Sequence, residues 1–130
     1  MKRILTALTL SLLAGTAFAA DSLHTHAGDR TWVLEAIGGE PFTAEATLIV
    51  SEDGRIAGKA PCNSYTGAME AAYPSFEPGP IMSTRMMCPE DAAERTFFQA
   101  LKTMREVEVL DDVMVLRSED GDEMVFRAAE

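Results

Sequence analysis

The stretch "GKAPCNSYTGAME", Gly58 to Glu70, places a cysteine beside an asparagine between flanking glycines, and the only other cysteine is Cys88. Cys62–Asn63 has three readings: a nucleophile with its helper, a metal ligand, or a structural corner. A cysteine nucleophile needs a base, usually histidine. The only histidines, His24 and His26, lie in the small, polar stretch "ADSLHTHAGD" near the start of the chain. Two cysteines are too few for a zinc site, asparagine is a poor zinc ligand, and no C-x-x-C redox pair is present. A structural disulfide or two buried thiols remain.

Other groups that bear chemistry are weaker still. The His24-x-His26 pair has no cysteine or carboxylate at ligand spacing, so it reads as a solvated tail and not as a metal site. Met82, Met86 and Met87 form the kind of thioether cluster that holds Cu(I), but such clusters more often fill irregular packing. Glu90 and Asp91 sit at a helix start, where the helix dipole accounts for them, and Glu94 follows without a catalytic partner. The residues therefore point to no catalytic group, no metal and no cofactor. Asn63 reads best as a residue that turns onto neighbouring backbone. It would tie the Gly58-to-Gly67 corner to the Ser83-to-Cys88 loop, with Thr84 and Arg85 assisting from the other side. The functional alternative has Asn63, Tyr65, Thr84 and Arg85 lining one polar pocket for a small ligand.

The elements that must position these residues are mostly strands. "TWVLEAI" puts Trp32, Leu34 and Ala36 on one face, and "EATLIV" does the same with Ala46, Leu48 and Val50. "SEDG" turns the chain back into "RIAG", and Asn63 to Met69 forms a further short strand. Pro74, Pro78 and Pro80 exclude a central strand, which leaves loop with brief edge pairing around Ser75–Phe76. One helix is predicted over Pro89–Met104, with Ala93, Phe97, Ala100 and Met104 on a stripe that Phe98 and Leu101 widen. "EVEVL", "VMVLR" and "EMVFR" then form a meander. The expected fold is mainly β (α+β): a small antiparallel barrel-like domain with one amphipathic helix.

The first 19 residues read as a signal peptide. Lys2 and Arg3 precede an apolar run from Ile4 to Leu13, and Ala17-Phe18-Ala19 supplies an A-x-A site with cleavage after Ala19. No cysteine lies there to take a lipid. Residues 20–28 read as a flexible leader, and 29–130 as the domain. The expected location is periplasmic or secreted, with no membrane span after processing, and an oxidising compartment favours one disulfide. Removing Lys2 and Arg3 from the eleven basic residues leaves nine against 21 acidic ones, a net charge of −12. Such a surface repels nucleic acid and anionic membrane. The expected partner is an unidentified protein or small ligand of the cell envelope.

"TWVLEAIGGEP", "EDGRIAGKAPCNSYTG", "STRMMCPEDAAERTFFQAL" and "DGDEMVF" together resemble the META domain family, the family of the HslJ heat-shock protein. Gly58, Cys62, Asn63, Tyr65 and Gly67 match its first signature. Thr84, Arg85, Met86 and Cys88 match the second, and Glu94, Phe98 and Leu101 match its helix. Pro61 departs from the pattern, standing where the family usually has glycine and removing a backbone donor. The resemblance implies a small β-barrel-type domain, often exported or lipid-anchored, linked to heat shock and novobiocin resistance, with no established catalysis. It implies a non-enzymatic envelope stress-response or binding domain. A small-ligand carrier with a barrel pocket is the alternative, and a hydrolase or thiol enzyme the more distant one. Because both cysteines fall in signatures, a Cys62–Cys88 disulfide is expected, with Cα atoms within about 7 Å.

Overall fold

The structure is a computed structural model that describes residues 21–130 together with Ser11 and Gly15. The signal peptide expected over residues 1–19, with its cleavage point, lies outside the described residues apart from those two positions. In chain order the elements are α1 (Leu23–Ala27), β1 (Trp32–Ile37), β2 (Glu40–Pro41), β3 (Thr47–Val50), β4 (Arg55–Lys59), β5 (Ser64–Ala68), β6 (Met82–Ser83), α2 (Asp91–Thr103), β7 (Met104–Leu110), β8 (Val113–Ser118) and β9 (Glu123–Ala128).

All strand pairs are antiparallel and run in the order β6-β5-β4-β3-β1-β9-β8-β7, with β2 paired to β1 off this path. The sheet curls into a half-barrel, as twisted antiparallel strands do, around apolar side chains on its inner face. Trp32 and Leu34 of β1, Leu48 and Val50 of β3, Met114 and Leu116 of β8, and Met124 and Phe126 of β9 all point inward. The two ends of the sheet meet through a short segment. Phe76 N–H donates to Arg105 O and Val107 N–H to Pro74 O, each at 2.8 Å, on the β7 side. Glu70 N–H donates to Glu77 O and Gly79 N–H to Ala68 O at the end of β5. Residues 74–79 thus bridge β5 to β7 without being a strand, as the prolines require. Phe76 from this segment is fully buried.

The one substantial helix, α2, is two residues shorter at its start than the sequence pattern predicts and gives way directly to β7 at Met104. Its buried stripe is Glu94, Phe97 and Leu101. Phe97 packs with Phe42, Tyr65 and Phe98, at centroid distances of 6.4, 5.5 and 5.3 Å. Trp32, Phe97 and Phe126 fill the interior with no exposure, and Phe98 packs against them partly buried. That filling counts against a ligand held inside the barrel.

The leader differs from its expectation. Residues 23–27 form a short helix whose Leu23 and Ala27, one turn apart, are buried in the core. The Ser22 side chain caps it by accepting from Thr25 N–H. His26 stacks on Tyr73 at 3.7 Å between ring centroids, and Tyr73 N–H donates to Asp21 O. This segment is docked rather than loose because it buries two apolar side chains and one imidazole face.

Candidate functional site

The Cys62–Asn63 corner is where β4 turns into β5 and meets the start of α2. Cys62 and Cys88 are joined by a disulfide with Cα atoms 5.7 Å apart, so neither sulfur is a free nucleophile. Asn63, only 7% exposed, uses every polar atom of its amide. Its Oδ1 accepts from Thr84 Oγ1 at 2.9 Å and from Met86 N–H at 2.6 Å. Its Nδ2 donates to Met86 O at 3.1 Å and to Glu94 Oε2 at 2.7 Å. Glu94 completes the node: its Oε1 accepts from Cys62 N–H at 3.1 Å and Asn63 N–H at 2.8 Å. The Pro61 position contributes no donor, and the corner needs none there, because the N–H groups that bind Glu94 belong to the two residues after it.

The four residues grouped as a candidate pocket do not stay together. Asn63 and Thr84 do, with Thr84 Oγ1 also accepting from Ser64 N–H at 3.1 Å. Tyr65 is withdrawn into the core, where its OH donates to Thr47 O at 2.6 Å. Burial pushes its phenol well above the ordinary value. A glycine at 58 is what allows this reach, since a Cβ there would lie 2.1 Å from Thr47 O. Arg85 is exposed and, among the described residues, forms no ion pair. The single polar pocket is therefore corrected: Asn63 and Tyr65, two residues apart, both turn inward from Ser64, but the Tyr65 hydroxyl is engaged by Thr47 O and offers no free polar atom beside Asn63 and Thr84. A cavity of about 400 Å³ does open at the corner, lined by Glu45, Lys59, Pro61, Asn63, Thr84 and Met86 among others.

Metal chemistry finds little here. Cys62, Cys88 and Asp91 converge, with Asp91 Oδ1 3.3 Å from Cys62 Sγ, but metal binding needs thiolates and these sulfurs are bridged. His24 and His26 diverge around α1, His24 pairing with Asp29 at 2.8 Å and His26 with Asp21 at 3.4 Å. His24, Asp29 and Glu52 do lie close together, an exposed arrangement common without any ion. Met82, Met86 and Met87 all project to solvent, Met87 being 90% exposed.

Sequence reasoning missed Glu94 as part of the site. Its signal was there: Glu94 shares a helix face with Phe97 and Leu101, and an acidic residue on an apolar stripe demands partners. Glu45 and Lys59 had no signal, because their role depends only on how β3 and β4 pass the corner.

A family model described as the META domain matches residues 22–130. No curated protein matches the chain. Among solved structures, the NMR structure of a protein from Burkholderia xenovorans is similar with a TM-score of 0.64 at 22% identity. That match covers 96% of this chain and 99% of the other. The crystal structure of a DUF4847 family protein from Bacteroides vulgatus is similar with a TM-score of 0.65 at 14% identity, covering 82% of this chain and 96% of the other. At these identities the likeness is one of fold.

Proposed function

The chain belongs to the META domain family, and from that premise we propose a non-enzymatic binding domain that works outside the cytoplasm in an envelope stress response. The observation that carries this reading is the commitment of the Cys62–Asn63 corner to structure. Both sulfurs are bridged, the Asn63 amide is saturated, and the Glu94 carboxyl group holds three N–H donors. A nucleophile and a base meeting in one pocket would favour an enzyme, whereas the two histidines of α1 pair with Asp29 and Asp21, which flank that helix. The disulfide suits an oxidising compartment. No helix among the described residues is long and apolar enough to cross a membrane. The stress-response part of the proposal is drawn from the family resemblance.

The test is cross-linking in intact cells, followed by native mass spectrometry of the protein recovered from its own envelope. The expected result is a processed chain starting after Ala19, carrying the disulfide and cross-linked to a defined partner that increases under heat stress. Recovery of the unprocessed chain from cytoplasm, or of a covalent substrate adduct, would overturn it.

A further inference from the structure

β6 ends one side of the sheet, so only one of its edges is paired. Its register with β5 sets which backbone groups stay free. Tyr65 faces Ser83, Thr66 faces Met82, and Thr84 N–H donates to Ser64 O at 3.0 Å. Hydrogen-bonded and non-bonded pairs alternate along antiparallel strands. Met82 and Thr84 therefore turn their backbone groups toward β5, while Ser83 and Arg85 turn theirs away from it. Met86 is then fastened at both N–H and O by Asn63, and Cys88 by the disulfide. The run from Met82 to Met86 is thus held extended on one side and open on the other.

Natural edge strands are blunted by shortness, by charged side chains, by proline or by a bulge; β6 is short and Arg85 adds one charge, but the other devices are missing from the run. Here Pro78 and Pro80 lie before the open run and none lies within it. The run instead exposes Met82 and Met86, followed by Met87. A groove of about 310 Å³ lies beside it, lined by Ser64, Tyr65, Thr66, Met82, Ser83 and Thr84. It shares Ser64 and Thr84 with the corner cavity. Two cations border this surface: Arg85 within the run, and Lys59, paired with Ser64 one strand further in. Among the described residues neither forms an ion pair, in a chain whose net charge is −10.

We propose that this edge accepts an extended segment of a partner protein, alternating apolar and acidic residues, as one more antiparallel strand. The Ser83 and Arg85 backbone groups pair with the segment's own. Its apolar side chains lie in the groove against Met82 and Met86, and its acidic ones, on the alternate face, lie beside Arg85. This rests on the reading of the chain as a binding domain and narrows that reading to one edge.

The experiment uses isotope-labelled protein with the disulfide intact, titrated with a blocked peptide of alternating valine and glutamate and with its valine–lysine counterpart. The expected result is shifted, exchange-protected amides at Ser83 and Arg85, with the lysine peptide weaker by about tenfold. Ser83→Pro deletes the outward N–H while leaving the β5 bonds in place, and Arg85→Glu reverses the charge at an exposed site. Each weakens the glutamate peptide by about tenfold, and Arg85→Glu leaves thermal unfolding unchanged. Unaltered Ser83 and Arg85 amides at saturating peptide, equal binding of both peptides, or protection of these amides by self-association without peptide would overturn the proposal. A partner recovered from the envelope but cross-linked on another face also overturns this edge while leaving the binding reading intact.

Discussion

Asn63 Nδ2 donates to Glu94 Oε2 at 2.7 Å, joining the strand corner to α2 across 31 positions of sequence. The bond matters because neither partner has a substitute. Asn63 cannot rotate its amide without losing Thr84 and Met86 at Oδ1, and Glu94 is only 9% exposed.

Glu94→Gln is expected to destabilise the fold by about 1–3 kcal/mol, although it preserves shape. The new amide sets an N–H group against Asn63 Nδ2, so one buried donor is left facing another. Urea denaturation measures the change. Combining it with Asn63→Ala should give a loss clearly smaller than the sum of the two single losses, because both remove one interaction. Strict additivity would mean that the node is not a unit.

Reducing the disulfide, or replacing Cys62 with serine, is expected to lower stability by about 3 kcal/mol by releasing the loop it closes. Denaturation with and without reductant tests this. The wild-type protein should lose its midpoint on reduction, and Cys62→Ser should be indifferent to reductant.

Gly58→Ala places a methyl group 2.1 Å from Thr47 O and 3.1 Å from Tyr65 Oη. Backbone cannot yield as a flexible side chain does, so a loss above about 2 kcal/mol is expected. Loss of the Tyr65–Thr47 hydrogen bond should accompany it, visible as a change in near-ultraviolet circular dichroism. An unchanged melting curve would show that β3 moves aside freely.

Burial holds the Tyr65 phenol protonated to higher pH than in the unfolded chain. Above about pH 10 the unfolded state therefore binds fewer protons, and stability falls as pH rises, by up to about 1.4 kcal/mol per unit. Below that pH the contribution is fully present. The fall ends once the folded phenol itself ionises. Tyr65→Phe should flatten this alkaline slope relative to wild type, while costing about 1 kcal/mol at neutral pH for the hydrogen bond to Thr47 O. Stability measured against pH for both proteins decides it.

The sheet was legible because its strands alternate: Trp32 and Leu34, then Leu48 and Val50, bury as their spacing demands. The amphipathic stripe of α2 was legible for the same reason, at helical spacing. The docked α1 was not, since Leu23 and Ala27 are only two apolar residues in a five-residue helix, too few for a period to show. The misplacement of Tyr65 is different in kind. The two-residue period does put Tyr65 on the face of Asn63, and both are buried; what no period shows is that the Tyr65 hydroxyl reaches across to Thr47 O. The bridge at residues 74–79 escaped in part, because its hydrogen bonds reach Ala68, Arg105 and Val107, partners no local pattern specifies.

β1 lies between β3 and β9, with Trp32 opposite both Leu48 and Ala128. The first strand of the sheet thus finds one neighbour early and the other only in the last strand of the chain. While the ribosome is still making residues 123–128, β1 has a bare edge and Trp32 no wall on that side. The core therefore stays open on the β9 side until those residues are present, although β3–β5 and β7–β8 can already pair. The strand order thus leaves completion of the half-barrel to residues 123–128, the segment farthest along the sequence from β1.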